Sequence, residues 1–214
     1  MNTYAFTENE TNFASIVDKV TATKPDAVVL ISYDESKKAI PAFQAKGFDG
    51  SKFYLVDGNL FDYSKEAFAT YLNGSKGTTP GKDASASFKA RLAASYKKYT
   101  GKTLGNNFSY GAETYDAVIL NAIAAQAAGK ASGPAIITQL TNISKSGAGK
   151  TTVTDFAAAL KAIKAGKKVN YDGLSGPIEF DENGDPTGAY IGIYKYDATG
   201  NFSLVRTVAG NSVK

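Results

Sequence analysis

Ala27-Val28-Val29-Leu30-Ile31 is an unbroken aliphatic run, and no other stretch of the chain restricts the fold as strongly. Such a run, without polar alternation, reads as a strand buried on both faces, as in a parallel sheet. Its flanks agree. Upstream, after the capping pair Thr11-Asn12, residues Phe13, Ile16, Val17 and Val20 follow helical spacing, and Lys24-Pro25 ends that helix. Downstream, Asp34-Glu35-Ser36 opens a second helix with Ala39, Ile40 and Phe43 inward, and Gly47 stands at its C-cap. Phe53-Tyr54-Leu55-Val56 is the next strand, and Thr3–Phe6 reads as another. Strand, helix and strand joined by short connections predict a parallel α/β layer.

From Gly74 to Ala84 the residues turn to Gly, Ser, Thr, Pro and Lys, which reads as a crossing or linker. Beyond it the pattern is mostly helical. Phe88, Leu92 and Tyr96 share a face that Gly101 closes, and Gly111–Ala128 carries Tyr115, Val118, Ile119, Ala122 and Ile123. Shorter helices are expected over Pro134–Leu140 and from a Thr154 cap to Gly166. Strands return at Pro177–Phe180, Ala189–Tyr196 and Phe202–Val208, the last two joined by the turn Asp197-Ala198-Thr199-Gly200.

The chain has 214 residues and neither His nor Cys. That excludes Ser-His and Cys-His catalysis, thiolate nucleophiles and a zinc site of ordinary composition. No cofactor or metal is expected, and the balance leans toward binding rather than chemistry. The net charge of +4 is spread over separated pairs such as Lys37-Lys38 and Lys167-Lys168, which argues against a nucleic-acid partner. No apolar segment is long enough to span a membrane. The first residues, Met1 to Glu8, lack a basic start and an apolar stretch, so no signal peptide is read there.

Ser144-Lys145-Ser146-Gly147-Ala148-Gly149-Lys150-Thr151 comes within one residue of a phosphate-binding loop. The segment before it reads as helix, however, where such a loop follows a buried strand, so a flexible surface loop is expected. Asp181-Glu182-Asn183-Gly184-Asp185-Pro186 begins like a calcium loop but has Pro at its sixth position, and turn chemistry accounts for it. The sharper signals lie at strand ends. Ser32-Tyr33-Asp34 follows the first strand and Asp57-Gly58 follows the next. Ligands of open parallel sheets bind beyond the carboxyl ends of strands, where Asp57 and Tyr33 would suit an ammonium group. The other reading is that Asp57 caps a turn and Tyr33 only packs.

Several stretches occur together in one order: Lys24 to Leu30, Gly47-Phe48 before Phe53, Tyr110-Gly111 leading to Tyr115-Asp116-Ala117-Val118, and Tyr171-Asp172-Gly173-Leu174-Ser175-Gly176-Pro177 through Asp185. This order resembles the later part of a type I periplasmic solute-binding protein, of the leucine/isoleucine/valine-binding family of ABC importers. The resemblance implies two doubly wound α/β lobes joined by three crossings, with an amino acid or small amide held between them. It also implies no catalysis, an extracytoplasmic place (periplasmic or anchored at the cell surface) and a membrane permease as partner. Against that template, residues 1–80 resemble part of the second lobe. Residues 81–188 resemble the mostly helical closing part of the first lobe, and 189–214 return to the second. The sheet of the first lobe has no counterpart, so an incomplete fold and a partial chain are expected.

By position, Asp57 matches the family's acid that holds the ligand ammonium and Tyr33 its neighbouring aromatic, with Ser32 and Gly58 beside them. The family's usual Glu is Asp in this chain. A ligand-sensing or interaction module of the same fold without transport is the alternative, and nucleotide binding through the degenerate loop is third. The apolar stripe of Gly111–Ala128 must repack within the chain, self-associate with another copy or pair with a separate fragment.

Overall fold

The Asn12 side chain accepts the amide of Ala14 at 3.1 Å, and the first helix starts there in the computed structural model, which describes residues 1–105 and 108–211. In chain order the first elements are α1 (Ala14–Ala22), β1 (Val28–Leu30), α2 (Ser36–Ala45), β2 (Phe53–Leu55) and β3 (Lys76–Pro80). Next come α3 (Ala86–Thr100), α4 (Gly111–Ala128), α5 (Gly133–Ile143), β4 (Lys150–Val153) and α6 (Phe156–Lys164). Strands β5 (Lys168–Gly173), β6 (Gly176–Pro177), β7 (Gly188–Tyr196) and β8 (Phe202–Asn211) complete the series. The chain divides into two units, the first mainly Met1–Thr79 with Gly192–Thr207, the second mainly Pro80–Thr103 with Phe108–Ile191. The fold is α/β, with mostly parallel strands flanked by helices, as expected.

The sheet of unit 1 has the order β1-β2-β3-β7-β8. Strands β1, β2 and β3 run parallel, with Leu30 opposite Leu55 and Leu55 opposite Gly77. One face carries the core: Leu30, Phe53 and Leu55 pack with Phe13 and Val17 of the α1 region and with Ile40 and Phe43 of α2. The Phe53 ring meets Phe43 edge-on at 5.2 Å and Phe48 at 5.3 Å, favourable geometry for aromatic pairs. The alternate residues point the other way. Val29 is 63% and Ile31 71% exposed, so β1 is not buried on both faces as the aliphatic run predicts. The unit's helices lie in the core cluster on the Leu30 side, which leaves the Val29 side to solvent.

Other expectations change too. Thr3–Phe6 forms no strand; Phe6 instead packs its ring against Phe13 at 5.2 Å. The expected linker after Gly74 contains strand β3, because Gly77 has no side chain to strike Leu60: a Cβ there would stand 2.5 Å from Leu60 Cδ1. The turn between β7 and β8 is as read, closed by Asp197 N donating to Asn201 O at 2.9 Å.

In unit 2, the stretch read as mostly helical also carries a sheet of order β4-β5-β6, with β4 and β5 parallel and β5 and β6 antiparallel. Helix α4 runs from Gly111 to Ala128 as predicted and ends on Gly129 at φ 64°. Its Leu120, Ile123 and Ala124 pack with Ile143 of α5, Ala159 of α6 and Val169 and Tyr171 of β5. Of the expected stripe, Ile123 is buried within its own unit and Ile119 partly so, whereas Val118 is 64% exposed. Helix α6 is capped by Asp155, not Thr154: the carboxylate accepts Ala158 N at 2.8 Å.

Asp116 fastens α4 to the β5–β6 turn. This carboxylate is 1% exposed and accepts four hydrogen bonds, from Tyr171 Oη at 2.7 Å, Leu174 N at 3.0 Å, Ser175 N at 2.7 Å and Ser175 Oγ at 2.6 Å. The approach requires Gly173, where a Cβ would lie 2.3 Å from Asp116 Oδ2. Burial first, and the bond to Asp116 second, push the Tyr171 hydroxyl well above its usual range. Asp116→Ala would leave those donors unmatched and should cost at least about 3 kcal/mol, at roughly 1–3 kcal/mol per stranded group. Urea unfolding followed by circular dichroism, with the exchange rates of the Leu174 and Ser175 amides, checks this; unchanged midpoint and exchange would refute it.

Candidate functional site

Unit 1 brings the ends of β1 and β2 together around one buried side chain. Asn59 lies at the end of the one-turn 3-10 helix Asp57–Asn59 that follows β2. Its Nδ2 donates to Leu30 O at 2.8 Å and to Ser32 Oγ at 2.9 Å, while its Oδ1 accepts Val56 N at 2.8 Å. One amide thus satisfies both strand ends and holds the following turns in register. Sequence reading passes over Asn59, since an Asn two residues after a candidate acid reads as ordinary turn chemistry.

The residues expected at this edge fall around that amide. Ser32 is 8% exposed, and its hydroxyl accepts from Asn59, so it acts inside the network. Tyr33 is 73% exposed, and its ring lies over Gly58. A Cβ on Gly58 would stand 2.8 Å from Ser32 O and 3.0 Å from Tyr33 Cε1, so the glycine permits the approach of the two loops. Asp57 opens the 3-10 helix and is exposed.

Neighbouring groups fix the Tyr33 loop. Ser36 Oγ donates to Tyr33 O at 2.8 Å, and Tyr63 Oη lies 2.7 Å from Ser36 Oγ and 2.9 Å from Asn59 O. Burial holds the Tyr63 hydroxyl above its usual range. Glu35 accepts Tyr33 N at 2.9 Å and Asn9 N at 3.1 Å. Its own backbone amide, followed by those of Asn9 and Tyr33, holds the Glu35 carboxyl below its ordinary value of 4.5.

The other two sequence signals carry no site. The segment Ser144–Thr151 runs from a helix, α5, into a strand, β4, the reverse of a phosphate-binding loop. Lys150 Nζ is bonded to the carbonyl oxygens of Asn142 and Lys145. Asp181 accepts Asn183 N at 2.8 Å and Asp185 N at 2.9 Å, which makes its loop a turn closed on its own carboxylate. No group of three or more acidic side chains among the described residues is placed to hold a metal ion. Among them, too, no helix is long and apolar enough to cross a membrane.

The strand ends can be probed at Gly58 and Glu35. Gly58→Ala should displace the Tyr33 ring and destabilise the chain by about 1–3 kcal/mol, as overpacking does; thermal melts and the Tyr33 ring shifts in NMR would show it. Because the folded Glu35 carboxyl is depressed, its stabilisation is present above pH 4.5 and lost as the pH falls through the lowered value. The Tyr33 amide resonance should therefore titrate below pH 4.5 in the parent and stay flat in Glu35→Gln.

Comparison with known proteins gives this fold a context. The family described as receptor family ligand binding region matches residues 2–198. None of the curated proteins compared with the sequence matches it. Among solved structures, a leucine binding protein from Thermotoga maritima is similar at 19% identity and a TM-score of 0.64, over 95% of this chain and 50% of that one. A fatty acid ABC transporter substrate-binding protein from Thermomonospora curvata is similar at 16% identity and a TM-score of 0.58, over 95% and 48%. An ABC transporter solute-binding protein from R. palustris, in complex with benzoate, is similar at 13% identity and a TM-score of 0.57, over 96% and 49%. The chain spans about half the length of these structures, and the likeness is one of fold.

Proposed function

Since the chain belongs to the receptor family of ligand binding regions, we propose that it serves in an extracytoplasmic solute-binding component of an ABC importer, without catalysis, and that its ligand is an amino acid of branched-chain type or a small amide. In this reading residues 1–80 and 189–214 belong to the family's second lobe and 81–188 to its first. The partner is a membrane permease. One observation carries the proposal: an exposed acid and an exposed aromatic, Asp57 and Tyr33, stand on adjacent turns at the carboxyl ends of adjacent parallel strands, with Gly58 and Ser32 setting their approach. Asp57 meets the ligand ammonium and the Tyr33 ring walls its side chain. The structural neighbours are named for leucine, for fatty acid and for benzoate, and of these only leucine has an ammonium for Asp57 to meet.

Calorimetry of the chain with leucine, isoleucine, valine, their amides and benzoate tests the reading. An amino acid or its amide should bind, and Asp57→Asn should weaken it by about tenfold or more, the value of a charge-assisted hydrogen bond at roughly 1.5–3 kcal/mol. Binding of benzoate alone, or equal affinity in Asp57→Asn, would refute it. The family's description as receptors favours a second reading, a sensing module with the same site but no transport. ATP-driven uptake of the ligand in vesicles holding a permease separates the two.

A further inference from the structure

Unit 2 contains a cavity that the proposed amino-acid site does not use. It measures about 460 Å³ and is walled by α4, α5 and the chain on either side of the Asp181–Asp185 turn. Its volume lies in the range of small-molecule sites, roughly 300–1,000 Å³. Leu120, Leu140, Ile178, Phe180 and Tyr190 give it an apolar wall. That surface recommends a ligand with a hydrocarbon or aromatic body.

The polar side of the cavity is acidic. Glu113, Asp116 and Glu179 line it, and neither Lys nor Arg does; Lys82 stands over the Tyr190 ring at 5.9 Å without lining the space. Two of the acids are engaged within the protein. Both oxygens of Asp116 are taken by Tyr171, Leu174 and Ser175, and Glu179 Oε1 accepts the Ser146 amide and hydroxyl. Glu113 is different. Its Oε1 is shielded from solvent and has no hydrogen-bond partner among the described residues. It is set against Gly81, where a Cβ would lie 1.9 Å from that oxygen, so the backbone makes room for the carboxylate. Burial, opposed by its own backbone amide and aided by Asp116, raises the Glu113 carboxyl from its ordinary range. A buried acceptor without a donor, at the side of an apolar cavity free of cations, lacks a positively charged donor.

We propose that unit 2 carries a second ligand site, separate from the strand ends of unit 1, that takes a small primary amine with an apolar body. The ammonium pairs with the Glu113 carboxylate, and the body packs on Leu120, Leu140, Ile178 and Phe180. A carboxylate on the same ligand is repelled by the three acids, so the site rejects amino acids and accepts their decarboxylated counterparts. The proposal rests on unit 2 alone and stands or falls apart from the role of Asp57.

The test is calorimetry of the chain with 2-phenylethylamine and isopentylamine, and with phenylalanine, 2-phenylethanol and 3-phenylpropionate as contrasts. The two amines should bind, and the carboxylate-bearing compounds should bind at least about tenfold more weakly. Glu113→Gln should weaken the amines by about tenfold or more, the loss of one charge-assisted bond. Ala117→Phe, at an exposed helix position on the cavity wall, should abolish binding by filling the space while Glu113 stays intact. This second variant decides the question should Glu113→Gln melt early. The proposal is overturned by a parent that binds no amine, as when another copy fills the cavity. It is overturned equally by unchanged affinity in Glu113→Gln or Ala117→Phe, or by tighter binding of phenylalanine or 3-phenylpropionate.

Discussion

The carboxylate of Asp116 is the point on which unit 2 depends. Burying an ionised carboxyl is costly unless donors replace the lost water, and here a phenol, two backbone amides and a hydroxyl do so. Those donors come from the end of β5 and the turn beyond it, so one side chain of α4 determines where the second sheet meets the helix. Gly173 is needed because the oxygen occupies the place of a Cβ. The same side chain forms part of the cavity wall beside Glu113. Leu174 and Ser175, between β5 and β6, cradle a carboxylate 58 and 59 residues back along the chain.

Unit 1 solves a related problem with a neutral group. The last carbonyls and amides of a parallel strand are left to be satisfied by the loops that follow it. Asn59 supplies both a donor and an acceptor, and so joins Leu30 and Ser32 to Val56 without adding charge. The negative charge stays with Asp57, two residues earlier and exposed. A buried structural amide and an exposed acid thus share one short turn.

Much of the fold could be read in advance, for reasons tied to particular residues. Helix α2 follows from Ala39, Ile40 and Phe43, and α4 from a periodic stripe between Gly111 and Gly129. Strands β3 and β4 escaped because their residues, Lys76-Gly77-Thr78-Thr79-Pro80 and Lys150-Thr151-Thr152-Val153, are polar or small and carry no apolar alternation, and β5 because its alternation rests on two apolar residues alone, Val169 and Tyr171. The Val29 face was overestimated, since an aliphatic run tells what a strand tolerates and not what covers it. Of the candidate site, the positions after the strands were legible; the network behind them was not, because Asn59 finds its partners 27 and 29 residues away.

The sequence by itself determined the local elements and the residues at the strand ends, because helical spacing, caps and apolar runs act over a few neighbours. Only the tertiary structure decided which polar groups are satisfied. Asp116 and Glu113 are both acids on one helix, three residues apart, yet one is filled by four donors and the other keeps an oxygen unmatched among the described residues. That difference depends on distant segments folding against α4, and no local pattern encodes it.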